Sequence, residues 1–478
     1  MRISMRMSRG STPAAGRAAT SGAKRGAERT RTAVETASQR TPGSAAPPRV
    51  RLVRTVACGG AALLLGTSLT ACDSGSDASG AKEFHVLVYG DAGNTVEKQI
   101  VAEFNKTSKV KAVLDTIPGA DYQTKLQTII NTPQAPDVFY NWGGGSIKPF
   151  VKAGLLMPLD DVFTNDPTIG DHFLPSVYNT AKIDGKAYGI PMRGTQPVLL
   201  FSNKKVLANA GVTQPKTWDE LLASVKKLKA KGVTPIALGG GDKWPTMMWY
   251  EYLYDRIAGP GLFEKAVAGD KSAWSSPDSK KALSMVRQLV DAGAFGSNFD
   301  SVKWTGGGSA QLLASGKAGF ELMGSWEYST QKQASPGFAA KDLGYTTFPS
   351  VQGGKGDPND LVGNTNNFYS VMKKTKQPAA VAKFLKLMYS EEFIKAQLSI
   401  GNLPTTTNTS TFLGTSSDPA YAKYQLDLVS KAPSFQISWD QTYPPSQMTP
   451  IYQAIQEFTD GKSDADGFIK AMQALDAS

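Results

Sequence analysis

The stretch FHVLVYGDAGNTVEKQIVAEFNKTSKVKAVLDTIPGADYQTKLQTIINTPQAPDVFY, residues 84–140, decides the fold. Its three apolar runs, at 84–89, 110–114 and 137–140, have the length and the β-branched or aromatic content of buried strands. After the first run, apolar residues recur at helical spacing, at Val96, Ile100, Val101 and Phe104. A second helical pattern precedes the third run, and this alternation predicts an α/β fold.

The loops that follow the first and third predicted strands, 89–94 and 141–146, should lie at the same edge of a sheet. Ligands of open α/β sheets bind at the carboxyl ends of the strands. The first loop contains Asp91 and Asn94, and the second has Trp142 directly before three glycines. We therefore expect these three side chains to line a binding cleft.

A second unit follows Pro191. The run Thr217–Glu220 has the form of a capping box and predicts the start of a helix. Further strand-like runs occur at 233–238, 318–323, 345–348 and 368–372. With 478 residues, the chain is long enough for two lobes with separate cores.

Composition argues against two classes of function. The chain has 52 Lys and Arg against 41 Asp and Glu, but 12 of the basic and 2 of the acidic residues precede Cys72. The remaining 40 and 39 nearly cancel, which is not expected of a protein that binds a polyanion. The two cysteines, Cys58 and Cys72, and the two histidines, His85 and His172, are too few for a typical metal centre. We predict no metal and no cofactor.

The first part of the chain has the features of a lipoprotein leader. Two arginines precede an apolar run at 56–69, which is too short to span a bilayer comfortably. The run ends in Leu69-Thr70-Ala71-Cys72, which resembles the lipobox of bacterial lipoproteins. We predict a disordered leader and signal peptide at 1–71, lipid attachment at Cys72 and a flexible tether at 72–83.

Several runs carry a family resemblance. They are GKAYGIP at 185–191, LLFSNKK at 199–205, PKTWDEL at 215–221, GKAGF at 316–320 and GSW at 324–326. Their order and spacing resemble the family 1 extracellular solute-binding proteins of ABC importers, which include maltose-binding protein. The resemblance extends from about Phe84 to the end of the chain.

The resemblance implies a two-lobe fold of the periplasmic-binding-protein type, class II, with ligand held between lobes that are joined by hinge crossovers. The implied N-terminal lobe is 84–192 plus 364–422, and the implied C-terminal lobe is 193–363 plus 423–478. The crossovers are expected near Arg193–Gln196 and Gly363–Asn366.

A sugar offers C–H faces and hydroxyl groups, so its site needs aromatic side chains for stacking and polar side chains for hydrogen bonds. Trp142 and Trp244 lie in glycine-containing loops, and Trp326 resembles the position of a sugar-stacking tryptophan in the family. Trp218, Trp249 and Tyr250 are instead expected to pack in a core. The expected polar and additional aromatic ligand-binding residues are Asp91, Asn94, Arg193, Gln196, Asn366, Asp440 and Tyr443.

The sequence and the resemblance together predict a monomeric receptor on the outer face of the cell membrane. It would deliver an oligosaccharide to the permease of an ABC importer without catalysis. Among sugars the resemblance favours xylobiose or xylo-oligosaccharides, with chito- and cello-oligosaccharides as alternatives. A glycoside hydrolase with two carboxylates stays an alternative, as does a receptor of the same fold for an anion, metal or peptide. The chain has no nucleophile elbow, HExxH motif or Walker loop.

Overall fold

The computed structural model describes residues 82–164, 166–365 and 367–476. The predicted leader, the lipid-attachment site at Cys72 and most of the tether lie outside these residues, as does Asn366. None of the helices in the described ranges has both the length and the apolar content needed to span a bilayer.

The strands of the described residues form two six-stranded sheets and one short two-stranded sheet. They are β1 (Glu83–Gly90), β2 (Lys111–Pro118), β3 (Val138–Asn141), β4 (Leu156–Met157), β5 (Lys182–Ile183), β6 (Lys186–Ala187), β7 (Ile190–Pro191), β8 (Gln196–Asn203), β9 (Thr234–Ala237), β10 (Ala318–Gly324), β11 (Leu343–Thr346), β12 (Leu361–Asn364), β13 (Phe368–Met372) and β14 (Phe435–Ile437).

Helices cover the faces of the sheets and connect their strands. They are α1 (Asn94–Thr107), α2 (Tyr122–Ile129), α3 (Lys148–Lys152), α4 (Leu159–Val162), α5 (Pro175–Tyr178), α6 (Lys204–Asn209), α7 (Trp218–Ala230), α8 (Trp244–Ala258), α9 (Gly261–Val267), α10 (Pro277–Asp291), α11 (Gly308–Ala314), α12 (Glu327–Ala334), α13 (Pro336–Lys341), α14 (Pro378–Leu385), α15 (Glu391–Ser399), α16 (Pro419–Lys431), α17 (Trp439–Thr442), α18 (Met448–Thr459) and α19 (Ala465–Gln473).

The first sheet has the strand order β2-β1-β3-β13-β4, and β7 also pairs with β13. β1 runs parallel to both β2 and β3, while β13 is antiparallel to β3. The helical face predicted at Val96, Ile100, Val101 and Phe104 is buried against this sheet. The predicted alternation of strands and helices is therefore confirmed, and this sheet with its core forms the first lobe.

The second sheet has the strand order β14-β12-β8-β10-β9, and β11 also pairs with β8. All residues of β8 are buried, as expected for a central strand. At the start of α7, Thr217 accepts a hydrogen bond from the Glu220 N–H at 3.2 Å, and the Glu220 carboxylate accepts one from the Lys216 N–H at 2.7 Å. The predicted helix start is thus correct, and this sheet with its core forms the second lobe.

Within the described residues the chain passes between the lobes three times. It leaves β7 for β8, later leaves β12 for β13, and finally passes from α15 to α16. Phe393 of α15 lies in the first core, whereas Tyr421 of α16 lies in the second. Crossovers were expected near Arg193–Gln196 and Gly363–Asn366, and a further lobe change at 422. The lobe boundaries themselves stay a prediction.

Candidate functional site: a cleft between the two lobes

Residues of both lobes line a cavity of about 510 Å³, called here the main cavity. The first lobe contributes the ends of β1 and β3 and the residues that follow them. The second lobe contributes the start of α8, the segments before α11 and α12, and parts of α17 and α18. The carboxyl ends of parallel strands thus meet the cavity, as is usual for ligand sites in α/β folds.

Aromatic side chains of the first lobe pack together beside the main cavity. This first aromatic wall consists of Tyr89, Tyr122, Tyr140 and Trp142. The rings of Tyr140 and Trp142 have centroids 5.0 Å apart and planes at 84°. Tyr122 donates a hydrogen bond to the carbonyl oxygen of Tyr140 at 2.7 Å, which holds α2 against β3. A Cβ at Gly119 would overlap the Tyr89 ring, so glycine is needed there.

Three tryptophans of the second lobe form a second aromatic wall. Trp244 begins α8, Trp304 lies in the loop before α11, and Trp326 precedes α12. The centroid of Trp244 lies 5.4 Å from that of Trp304 and 6.0 Å from that of Trp326. All three line the main cavity. A Cβ at Gly324 would overlap the Trp326 ring, so only glycine lets this indole lie over the end of β10.

Buried acids lie behind the second aromatic wall. The indole N–H of Trp304 donates to the Glu327 carboxylate at 2.8 Å, and the Gln331 amide donates to its other oxygen at 2.6 Å. Glu327 and Glu321 are both fully buried. Burial raises the pKa of each carboxyl group, and the nearness of Glu327 raises the pKa of Glu321 further. The pair therefore retains a proton more readily than exposed acids do.

Asp440 presents a carboxylate to the main cavity from α17. Its Oδ2 accepts a hydrogen bond from the Tyr452 hydroxyl at 2.7 Å. Its Oδ1 is buried and accepts no hydrogen bond from another described residue. Burial raises the pKa of Asp440 to about 6, and the Tyr452 hydrogen bond opposes this shift. A buried acceptor that stays unpaired costs free energy.

Three side-chain amides connect the elements of the second lobe at the base of the cleft. Asn364 at the end of β12 donates to Gln196 at the start of β8 at 3.0 Å, and Gln441 of α17 donates to Asn364. All three are buried and line the main cavity. They provide neutral polar groups close to the first two passages between the lobes.

The guanidinium group of Arg193 forms hydrogen bonds with residues of the first lobe. It donates to Asp91 at 2.6 Å, to Glu97 at 2.8 Å and 2.9 Å, and to the Tyr89 carbonyl oxygen at 3.1 Å. It also lies over the Tyr140 ring at 4.9 Å from the centroid. Arg193 is only 3% exposed, so these contacts fix the residues at the end of β1.

The structure brings most of the expected site residues together. Those that line the main cavity are Asp91, Trp142, Arg193, Gln196, Trp244, Trp326 and Asp440. Trp218, Trp249 and Tyr250 are buried in the second core, as expected. Asn366 and Cys72 lie outside the described residues.

Two expected site residues do not line the cleft. Asn94, the first residue of α1, donates hydrogen bonds to the Tyr89 carbonyl oxygen at 2.8 Å and to Glu97 at 2.5 Å, and it is buried. Tyr443 is 2% exposed and lies in the second core, where its ring centroid is 6.3 Å from that of Phe263. The expectation that these two residues line the cleft is therefore corrected.

Several cleft residues were not expected from the sequence. Tyr89 and Tyr140 end predicted strands, so their position alone could have identified them. Trp304 shortly precedes the glycines 306–308, much as Trp142 precedes 143–145. Tyr452 had no comparable signal, since it lies within helix α18 and lines the cavity beside Asp440 of α17, to which its hydroxyl donates a hydrogen bond. Among the described residues, no three His, Cys, Asp or Glu side chains are arranged to hold a metal ion.

Curated relatives of the chain are binding proteins. It is 27% identical over 270 residues to an ABC transporter extracellular-binding protein of Pyrococcus horikoshii, covering 55% of this chain and 60% of that protein's length. It is 27% identical over 341 residues to the diacetylchitobiose binding protein of Streptomyces coelicolor, covering 68% of this chain and 76% of that protein. A multiple sugar-binding protein of Streptococcus mutans is 25% identical over 351 residues, with 70% and 78% covered.

Solved structures share the two-lobe fold. One, from work on xylan utilization by Caldanaerobius polysaccharolyticus, has a TM-score of 0.75 and 26% identity, and the match covers 82% of this chain and 99% of that one. A chitin oligosaccharide binding protein has a TM-score of 0.73 and 25% identity, covering 82% and 97%. The sequence profile of the bacterial extracellular solute-binding proteins matches residues 90–394, which is more than half of the chain. The chain therefore belongs to the bacterial extracellular solute-binding protein family.

Proposed function

We propose that the protein captures an oligosaccharide outside the cell and delivers it to the permease of an ABC importer. The observation that carries this proposal is the pair of aromatic walls that contribute Tyr89, Tyr140 and Trp142 from one lobe, and Trp244, Trp304 and Trp326 from the other, to one cavity. Aromatic faces stack on the C–H surfaces of sugar rings. Closure of the two lobes would bury such a ligand between them.

The polar residues of the cleft support a neutral, hydroxyl-rich ligand. The main cavity is lined by three basic residues, Arg193, Lys243 and Lys303, and by four acids, Asp91, Asp121, Asp242 and Asp440, so its lining has no surplus of positive charge for an anion. The Arg193 guanidinium is already engaged with Asp91 and Glu97. Asp242 accepts hydrogen bonds from the backbone and the hydroxyl of Thr305 at 2.8 Å and 2.6 Å. The cleft therefore offers mainly stacking surfaces and hydrogen-bonding groups.

We propose that Trp142, Trp244 and Trp326 stack on the sugar rings of the ligand. Trp304 is proposed as a fourth stacking residue. Gln196 and Asp440 would form hydrogen bonds with sugar hydroxyls. Asp91 would do so from the end of β1, while Arg193 would hold Asp91 in place.

Xylo-oligosaccharides are the sugars that we propose first, and chito-oligosaccharides second. The structure from the work on xylan utilization and the chitin oligosaccharide binding protein have almost equal TM-scores, 0.75 and 0.73. The diacetylchitobiose binding protein supports the second class. Both classes offer linear chains of sugar rings to two aromatic walls.

The same proposal includes binding without catalysis, a monomeric state and a lipid anchor. The lipobox-like run ending in Cys72 supports the anchor, which would hold the receptor at the outer face of the cell membrane. Incorporation of a labelled fatty acid into the wild-type chain, and its loss in Cys72→Ala, would test the anchor. Size-exclusion chromatography with light scattering would test the monomeric state.

Titration calorimetry with short xylo-, chito- and cello-oligosaccharides tests the proposed sugar binding. Phosphate and amino acids are titrated as non-sugar ligands for comparison. Trp326→Ala should weaken sugar binding by at least about 2 kcal/mol without unfolding the protein. Tyr443→Phe is the matched control, because Tyr443 lies in the core and its change should leave affinity unaltered. Wild-type affinity in Trp326→Ala would reject the stacking role. Chromatography of the sugar after incubation would reveal turnover, which would reject the receptor function.

A further inference from the structure

A second cavity of about 360 Å³ adjoins the main cavity. Both are lined by Tyr89, Asp91, Gly119, Lys303 and Trp304, so the two spaces meet between the end of β1 and the loop before α11. The second cavity is about seven-tenths as large as the main one and also takes residues from both lobes. It therefore extends the cleft rather than forming a separate surface depression.

The chemistry of the second cavity matches that of the main cavity. Tyr89 and Trp304 provide aromatic rings at the junction, and Thr305, Thr330 and Gln333 provide hydroxyl and amide groups beyond it. Thr330 and Gln333 lie on α12, where Thr330 is half-buried and Gln333 is exposed. A sugar unit could therefore bind in the second cavity through the same kinds of contact as in the main cavity, namely stacking on aromatic rings and hydrogen bonds to neutral polar groups.

The charges of the second cavity do not point to an ionic ligand. One carboxylate oxygen of Asp91 accepts a hydrogen bond from Arg193 at 2.6 Å, and the other accepts one from the Gly93 N–H at 2.8 Å. Lys303 is exposed at the rim. A charged ligand would therefore find no buried counter-charge here that is not already paired with protein.

Glycines keep the outer part of the second cavity wide. Gly306 and Gly307 have φ angles of +85° and +84°, which favour glycine, and no atom lies within 4 Å of a Cβ placed on either. No side chain from these positions narrows the space between the loop and α12. The space beside these two glycines is therefore open at the outer part of the second cavity.

We infer that the ligand is a linear oligosaccharide of three or more sugar units that passes between Tyr89 and Trp304 into the second cavity. This inference rests on the proposed function and specifies the length of its ligand. A disaccharide fits within one cavity of the size usual for small ligands, about 300–1,000 Å³. A third sugar unit and those beyond it would contact Thr330 and Gln333 in the second cavity. A disaccharide in the main cavity would not reach these two side chains.

Calorimetry of the full-length protein with xylobiose through xylohexaose, and with the chito-oligosaccharides of the same lengths, tests this inference. Wild-type affinity should rise about threefold to tenfold for each unit beyond the disaccharide, until the second cavity is filled. Gln333→Trp, which fills the cavity from an exposed helix position, should remove this gain and leave disaccharide affinity unchanged. Ala334→Trp, at the next exposed position of α12, is the matched control, because Ala334 is among the lining residues of neither cavity and the change should retain the gain.

Equal affinities for all lengths in the wild type would overturn the inference alone, because sugar binding would persist. A Gln333→Trp variant that kept the full gain would overturn it as well. Absence of binding at every length would reject the proposed function and this inference together.

Discussion

The indole N–H of Trp304 donates to the carboxylate of Glu327 at 2.8 Å, so a ring that lines both cavities is fixed by a fully buried acid. Glu327 also accepts a hydrogen bond from Gln331 at 2.6 Å. Glutamine has one carbonyl oxygen and cannot accept from both donors in the same geometry. We predict that Glu327→Gln weakens sugar binding about twofold to tenfold, as measured by calorimetry.

A double-mutant cycle distinguishes positioning of Trp304 from a direct effect on the ligand. Trp304→Phe removes the donor, so Glu327→Gln should cause no additional loss of affinity in that background. Additive losses of the two variants would contradict the positioning role. Circular dichroism of all four proteins controls for changes of fold.

We expect Arg193 to act mainly by stabilising the folded protein and not by contacting the ligand directly. Arg193→Met would leave Glu97, which is 3% exposed, without its counter-charge, and we expect a loss of about 3–5 kcal/mol in the free energy of unfolding. Lys395→Met is the matched control, because Lys395 pairs with Glu391 on the surface and should cost less than about 1 kcal/mol. Urea denaturation measures the free energy of unfolding of both variants. A loss in Arg193→Met as small as that in Lys395→Met would contradict the stabilising role of Arg193.

Gly145 of the first lobe lies against the backbone of Thr442 in the second lobe. A Cβ at Gly145 would overlap the Thr442 carbonyl oxygen. Gly145→Ala should therefore displace the lobes and cost about 1–3 kcal/mol of sugar-binding free energy, since the site is shared between them. Calorimetry measures the affinity, and small-angle scattering measures the displacement.

Gly337→Ala is the control for Gly145→Ala. It lies in α13, and no atom lies within 4 Å of a Cβ placed there. This change should leave affinity unaltered and stabilise the helix by about 0.5–1 kcal/mol. An unaltered affinity in Gly145→Ala would show that the lobes do not depend on this close approach.

The fold could be predicted because its signals are local. The apolar run of β1 and the helical spacing of Val96, Ile100, Val101 and Phe104 need no knowledge of distant residues. The expected order of strand and helix then placed Asp91 and Trp142 at one sheet edge. Both line the main cavity in the structure.

The direction of individual side chains could not be predicted in the same way. Asn94 follows the correct strand, but its amide turns back to the Tyr89 carbonyl oxygen and to Glu97. Tyr443 turns into the second core beside Phe263. These outcomes depend on packing between residues far apart in the chain. The pairing of Arg193 with Glu97, 96 positions away, is of the same kind.

Glu251 should make the stability of the protein depend on pH. It is fully buried in α8, and its carboxylate accepts a hydrogen bond from the Trp439 N–H at the start of α17 at 2.7 Å. Burial, and secondarily the charge of Asp440, raise the pKa of Glu251 from 4.5 to about 8. Between these two values the folded protein holds a proton that the unfolded chain has released. The free energy of unfolding therefore falls as pH rises through this range, by about 1.4 kcal/mol per pH unit for this one group.

Glu251→Gln should remove this contribution, because its amide is neutral and its carbonyl oxygen can still accept from the Trp439 N–H. The variant should match the wild type near about pH 4.5 and exceed it in stability near about pH 8, in urea denaturation series at each pH. Some pH dependence should persist, since burial also raises the pKa of Asp255 to about 7 and that of Asp440 to about 6. Glu264→Gln, at an exposed position of α9, is the matched control and should leave the profile unchanged. Parallel profiles for Glu251→Gln and the wild type would show that Glu251 does not take up a proton on folding.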